Sequence, residues 1–204
     1  MEYKTADYHV HSTISPDAKG TMEEMCNAAI AAGIEEIAFT DHYEFYAGGI
    51  TGKYFNREYL IRYFEELDKC RQMYEGRLII RSAMEFGQLH LDPEKASGII
   101  KSWPFDYLIG SVHKIGNIDL SQMEFREDTV QEIADAYYSH LLKLARTGDC
   151  NKRHCRKAGL PDDYDKYEDR IVQVLTALIE RGKGIEVNTS GLRQGAGETM
   201  PGIR

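Results

Sequence analysis

Two histidines one residue apart, His9 and His11, begin a set of possible metal ligands that continues with Asp17, Asp41, His42, Glu85 and His113. Imidazole nitrogens and carboxylate oxygens together suit zinc, manganese and iron alike. Thr5 to Tyr8 reads as extended chain leading into His9-Val10-His11, and side chains two apart on a strand point the same way. Both imidazoles can therefore reach one ion without a special loop. Asp17 lies in Ser15-Pro16-Asp17-Ala18-Lys19-Gly20, which is also good turn chemistry. Asp41 reads equally well as a ligand and as an acceptor that orients a histidine. Glu85 ends an apolar run, where a carboxylate is costly without a cation nearby. Arg193, with Arg153 behind it, is the leading candidate for a bidentate grip on an anion, and His42 is a candidate proton donor.

These residues need elements to bring them together. Short apolar runs at 6–11, 36–40, 78–84, 107–112 and 184–188 read as strands. Between them, amphipathic patterns predict helices from Thr21 to about Gly33 and over 56–74, 93–102, 129–146 and 163–181. The first carries a capping box, Thr21 with Glu24. Strand-then-helix alternation predicts a parallel sheet covered by helices, open or closed into a barrel. The polar residues fall at the strand ends: His9 and His11, then Asp41-His42, then Glu85, then His113. The carboxyl ends of parallel strands share one rim, where active sites are built. Four of the seven histidines stand at such ends, and that placement makes a weak His-x-His motif specific.

Bulk properties narrow the classes. The 204 residues suffice for one domain with a core, and 42% hydrophobic with 28% charged residues predicts a soluble globular chain. The formal charge of −8 and the lack of any Lys/Arg block interleaved with aromatics argue against nucleic acid. No apolar run has spanning length, and Glu2, Lys4 and Asp7 stand where a signal core would be, so a cytoplasmic location is expected. Cys26, Cys70, Cys150 and Cys155 have no framework spacing and are expected to be reduced.

The stretches Asp7-Tyr8-His9-Val10-His11-Ser12, Ser15-Pro16-Asp17, Phe39-Thr40-Asp41-His42-Tyr43, Met84-Glu85-Phe86-Gly87, Gly110-Ser111-Val112-His113 and Gly184-Ile185-Glu186-Val187-Asn188-Thr189-Ser190-Gly191-Leu192-Arg193 resemble the polymerase-and-histidinol-phosphatase (PHP) family, in its histidinol-phosphatase branch. The resemblance implies a distorted seven-stranded α/β barrel with up to three divalent metal ions (Zn, Mn or Fe). It implies hydrolysis of L-histidinol phosphate in histidine biosynthesis, a small-molecule phosphate monoester being the partner. It also implies ligand sets: His9, His11 and Glu85 for one ion, Glu85 and His113 for a second, and Asp17 and His42 for a third. Another PHP phosphoesterase activity and a non-catalytic metal-binding remnant remain open as alternatives.

The resemblance also implies two motifs that the sequence lacks. One is a strand ending in Gly-His after the helix at 134–145, where Gly148-Asp149-Cys150 leads directly into the basic run 151–157. The other is a late Asp-x-His, since the sequence ends at Ile203-Arg204. The expectation is a single PHP-like domain over residues 1–204 with an internal deletion near 149–152, a shortened carboxyl end and an incomplete barrel. Fewer than three ions are expected, the His9/His11/Glu85 site being the strongest because three ligands plus water make a usable site. His90, His140 and His154 read as loop, helix and basic-run residues. Cys150 and Arg156 have the Cys-x5-Arg spacing of a thiol phosphatase, but no glycine lies between them to let backbone amides cradle phosphate.

Overall fold

The computed structural model describes residues 5–46, 55–147, 152–154, 164–188 and 192. In chain order the elements are β1 (Ala6–Val10), α1 (Met22–Ala31), β2 (Glu36–Phe39), β3 (His42–Glu44), α2 (Arg57–Met73), β4 (Ile79–Gly87), α3 (Pro93–Ser102), β5 (Tyr107–Ser111), β6 (Lys114–Ile115), β7 (Ile118–Asp119), α4 (Val130–Thr147), β8 (Lys152–His154) and α5 (Glu168–Glu180). The main sheet has the strand order β1-β2-β4-β5-β8, with β3 paired to β4. The chain forms two compact units: Met1–Glu44, Thr51–Phe86 and Gly98–Ile109 make the first, and Phe45–Ile50, Gly87–Ser97 and Gly110–Arg204 the second.

In the first unit β1 pairs parallel to β2, and β2 parallel to β4. Every residue of β2 is buried, the pattern of a strand covered on both faces. Ala38, Ala83, Tyr107 and Ile109 form one core cluster, and Tyr8 packs against it. α1 starts where its capping box predicts: the Glu24 amide donates to Thr21 Oγ1 (3.1 Å) and the Thr21 amide to Glu24 Oε2 (2.8 Å). Beyond its end Gly33 takes φ +74, a left-handed conformation cheap only for glycine. α2 starts at Asn56, whose side chain accepts from the Tyr59 amide at 2.9 Å. Its inward stripe is Tyr59, Tyr63, Leu67 and Cys70. Tyr63, with no exposed surface, donates its hydroxyl to the Phe39 carbonyl and accepts the Ala83 amide, both at 2.8 Å. One helix side chain thus bridges the end of β2 and the middle of β4.

In the second unit α4 packs against α5, with Tyr137, Leu141 and Leu144 buried on the former and Val174, Ala177 and Leu178 on the latter. β6 and β7 form an antiparallel hairpin, Lys114 opposite Asp119 and Ile115 opposite Ile118.

The predicted helices all form, within a few residues of their expected ends except at the last. There the turn Tyr164–Tyr167 is a tighter helix and α5 begins only at Glu168. The break in alternation after α4 holds only the three-residue strand β8, last in the sheet order, in keeping with the expected loss of a full strand there. One expectation about strands changes. The strand expected at 184–188 is not formed beyond a single bridge at Asn188. Ile185 and Val187 remain 40% and 43% exposed, so their alternation buries no face. Among the described residues no helix is long and apolar enough to cross a membrane.

Candidate metal centre

Backbone register brings the first unit's polar residues to one level. The Thr40 amide donates to the Val10 carbonyl (2.7 Å) and the Glu85 amide to the Asp41 carbonyl (3.1 Å). The residue after β1, the start of β3 and the last third of β4 therefore lie in adjacent rows. On that rim His9 Nε2, His11 Nε2 and His42 Nδ1 stand 3.3, 3.2 and 3.2 Å from one oxygen, Glu85 Oε2. His9 Nε2 and His11 Nε2 are 3.1 Å apart. Asp17 Oδ2 lies 3.3 Å from both His11 Nδ1 and His42 Nε2.

Hydrogen bonding alone does not account for this convergence. A carboxylate oxygen has two lone pairs, yet three ring nitrogens meet Glu85 Oε2, and two of them also face each other. Ligands bound tetrahedrally at about 2.0–2.1 Å stand roughly 3.3–3.4 Å apart, close to the 3.1–3.3 Å seen here. The donor set is equally apt: His9, His11 and Glu85 place one ligand atom each within 4.8 Å of the others, and His11, Asp17 and His42 do the same. Glu85 is only 1% exposed, and a carboxylate so deeply buried needs cationic company. The residues fit divalent metal.

The protonation states follow. Burial lowers the basicity of His11, but hydrogen bonds to Asp17 and Glu85 outweigh it and lift the ring from 6.5 to about 9. Burial would raise Asp17, yet hydrogen bonds to His11 and His42 hold its carboxyl well below the usual range. Burial raises Asp41, against the pull of donors from Ser12 and Ser15.

Asp41, which the sequence left open between ligand and acceptor, belongs to neither group of possible ligands in this unit. It accepts from Ser12 and Ser15 instead. Three residues at the centre were not singled out from sequence. Glu44, two positions after His42 on the same face of β3, puts Oε1 3.5 Å from His42 Nδ1. The Ser15 hydroxyl accepts the His42 amide at 2.7 Å, and the Tyr59 hydroxyl donates to the His42 carbonyl at 2.6 Å. The i, i+2 relation of His42 and Glu44 was a usable signal. Nothing local marked Tyr59, 17 residues beyond His42.

In the second unit His113 follows β5, and its amide donates to Gln88 Oε1 at 2.6 Å. Gln88 is 1% exposed and takes φ +54, the one non-glycine residue with positive φ among those described. Its amide nitrogen donates to the Phe45 carbonyl at 3.1 Å and its backbone N–H to the Ser111 carbonyl at 2.8 Å. The strain is offset by a side chain that ties three chain segments together. His90 Nε2 and His140 Nδ1 pair with each other at 2.7 Å. Burial, then the nearby Lys143, lowers the basicity of His140. Arg153 is placed by its backbone in β8, whereas Arg193, Cys150 and Arg156 lie outside the described residues.

Comparison with known proteins agrees with this geometry. The PHP domain family model matches residues 7–190. The histidinol-phosphatase of Lactococcus lactis is 29% identical over 204 residues, which cover 91% of this chain and 72% of that protein. A probable histidinol-phosphatase of Deinococcus radiodurans is 29% identical over 203 residues, covering 96% and 77% respectively. The crystal structure of the L. lactis histidinol phosphate phosphatase, complexed with Zn, L-histidinol and phosphate, superposes with a TM-score of 0.76 at 24% identity, over 95% of this chain and 76% of that one. The fold is therefore the α/β fold of that enzyme.

Proposed function

The chain belongs to the PHP domain family, and from that premise we propose that it is a divalent-metal-dependent phosphomonoesterase that hydrolyses L-histidinol phosphate to L-histidinol and phosphate. The observation that carries this reading is the convergence of three ring nitrogens within 3.3 Å of the buried Glu85 Oε2. The L. lactis relative, whose structure holds Zn, L-histidinol and phosphate, supports the substrate.

His9, His11 and Glu85 would hold one ion. Asp17 and His42 would hold another, with His11 beside them. On the family resemblance His113 would serve a further ion. Zn, Mn and Fe all suit this mixed nitrogen and oxygen set. Divalent ions bound there supply Lewis acidity, lowering the pKa of water and offsetting the charge of phosphoryl oxygens. Such compensation is needed: the chain has a net charge of −8, and the carboxylates of Asp17, Glu44 and Glu85 crowd the centre that must admit a phosphate.

His42 serves as a ligand in this reading, not as a proton donor. Both its ring nitrogens face carboxylates, Nε2 toward Asp17 and Nδ1 toward Glu85 and Glu44. One nitrogen on an ion and the other on a carboxylate is the usual state of a ligating histidine. Arg193 grips the phosphate with its planar fork.

The test is phosphate release from L-histidinol phosphate by chain that has been stripped of metal and reloaded with Zn, Mn or Fe. Metal-dependent release, lost in His9→Ala and Glu85→Ala, is the expected result. No release with any of the three metals refutes the activity, and faster release from unrelated phosphate monoesters refutes the substrate.

A further inference from the structure

We propose that Asp41 is a positioning residue: its carboxylate shapes the loop 12–17 and thereby sets where Asp17 and His42 hold their ion. The inference rests on the metal-binding reading above and adds to it a residue that touches no ion.

The hydrogen bonds around Asp41 all run inward. Its Oδ1 accepts the backbone amides of Ser12 (2.8 Å) and Ser15 (3.1 Å), and the Ser12 hydroxyl lies 3.1 and 3.0 Å from Oδ1 and Oδ2. The residue has no exposed surface. Oδ1 thus faces three donors and Oδ2 shares one of them, and neither oxygen joins a group of possible ligands in this unit. What the carboxylate does hold is the loop. Ser12 Oγ accepts the Ile14 amide at 3.2 Å, and the Ser15 amide also reaches the Ser12 carbonyl at 2.9 Å, closing a tight turn around the carboxylate.

The turn acts on the ligands in two places. Ser15 Oγ accepts the His42 amide (2.7 Å) while Tyr59 donates to the His42 carbonyl (2.6 Å), so the His42 backbone is gripped on both sides. Asp17 lies two residues beyond Ser15, and its Oδ2 reaches His11 Nδ1 and His42 Nε2 at 3.3 Å each. The Asp41 carboxylate acts through Ser12 and Ser15, and what those residues reach is the His42 backbone and the loop that carries Asp17, whereas Glu85 meets Asp41 through the backbone alone, its amide donating to the Asp41 carbonyl at 3.1 Å. Loss of the Asp41 carboxylate should therefore weaken the ion at Asp17 and His42 and spare the one at His9, His11 and Glu85.

Asparagine and alanine separate the roles. Asp41→Asn keeps an Oδ1 acceptor for both backbone amides but lacks the charge that a metal ligand would supply; Asp41→Ala keeps neither. Zinc per chain is measured after dialysis, and cobalt(II) titrations are followed by visible absorption, for wild type, both variants and Ser15→Ala. The expected result is a second ion bound at least tenfold more weakly by Asp41→Ala and Ser15→Ala, with Asp41→Asn within about twofold of wild type. Asp41→Asn falling as far as Asp41→Ala overturns the inference, because the charge itself would then be needed. If Asp41→Ala does not fold, Ser15→Ala decides, and wild-type affinity for the second ion in that variant overturns the proposal. A wild-type chain that takes up no ion at all removes the metal reading itself, which two-ion wild type with unaffected variants would leave standing.

Discussion

Metal must compete with a proton at His11, and that competition has a calculable size. Hydrogen bonds to Asp17 and Glu85 overcome the effect of burial and raise this imidazole from 6.5 to about 9. The rise is equivalent to about 3 kcal/mol of added affinity for the proton. Below about pH 9 the metal-free ring is mostly charged, so a metal ion must displace the proton to bind. At pH 7.5, about 1.5 pH units below the midpoint, the ring is roughly 97% protonated, and zinc uptake should release nearly one proton from His11. Apparent zinc affinity should then rise about tenfold per pH unit from 6.5 to about 9, where an unperturbed histidine would leave it flat. Without metal the sign reverses. The raised pKa contributes stability that is fully present below pH 6.5 and is lost as pH rises through about 9. Asp17, held low, stays ionised throughout this window and contributes no proton. Calorimetric zinc titrations at pH 7.5 in two buffers of different ionisation enthalpy count the protons directly. Fewer than about 0.3 protons released, or an affinity unchanged between pH 7 and 8.5, would refute the reasoning.

Other residues give independent checks. Tyr63→Phe removes the hydroxyl between Phe39 and Ala83 and leaves a buried carbonyl and a buried amide without it. A loss of about 2–4 kcal/mol in urea unfolding is expected, and a loss under about 0.5 kcal/mol would contradict the bridging role. Gln88→Ala should cost about 2–3 kcal/mol by abandoning the Phe45 carbonyl and the His113 amide. Gln88→Gly should cost about 1 kcal/mol less than the alanine variant, because glycine relieves the left-handed φ of +54. Equal unfolding midpoints for the two variants would show that strain is not stored there.

Much of the candidate centre was legible in the sequence because most of the candidate ligands stand near the end of a strand with its own local signature, Asp17 in its loop being the exception. β1, β2, β4 and β5 are apolar runs; His11, Asp41-His42 and His113 stand just beyond the ends of β1, β2 and β5, and Glu85 stands in the last third of β4. The capping box of Thr21 and Glu24 likewise fixed the start of α1 locally. What escaped depends on partners distant in the chain. β3 is three residues, His-Tyr-Glu, too short to show a period, and exists because β4 pairs with it. β8 is Lys-Arg-His, with no apolar residue to mark a strand, and stands last in the sheet order. The opposite error arose at 184–188, where Gly-Ile-Glu-Val-Asn alternates like a strand while Ile185 and Val187 stay exposed. Asp41 remained ambiguous for a related reason. A ligand and a loop anchor look alike until the Ser12 and Ser15 amides are seen donating to it.

Diffraction from zinc-loaded crystals, recorded on both sides of the zinc absorption edge, tests the central claim most directly. An anomalous peak about 2.0–2.2 Å from His9 Nε2, His11 Nε2 and a Glu85 oxygen is the predicted result. Zinc bound only elsewhere on the chain, with those three side chains hydrogen-bonded to one another or to water, would contradict it.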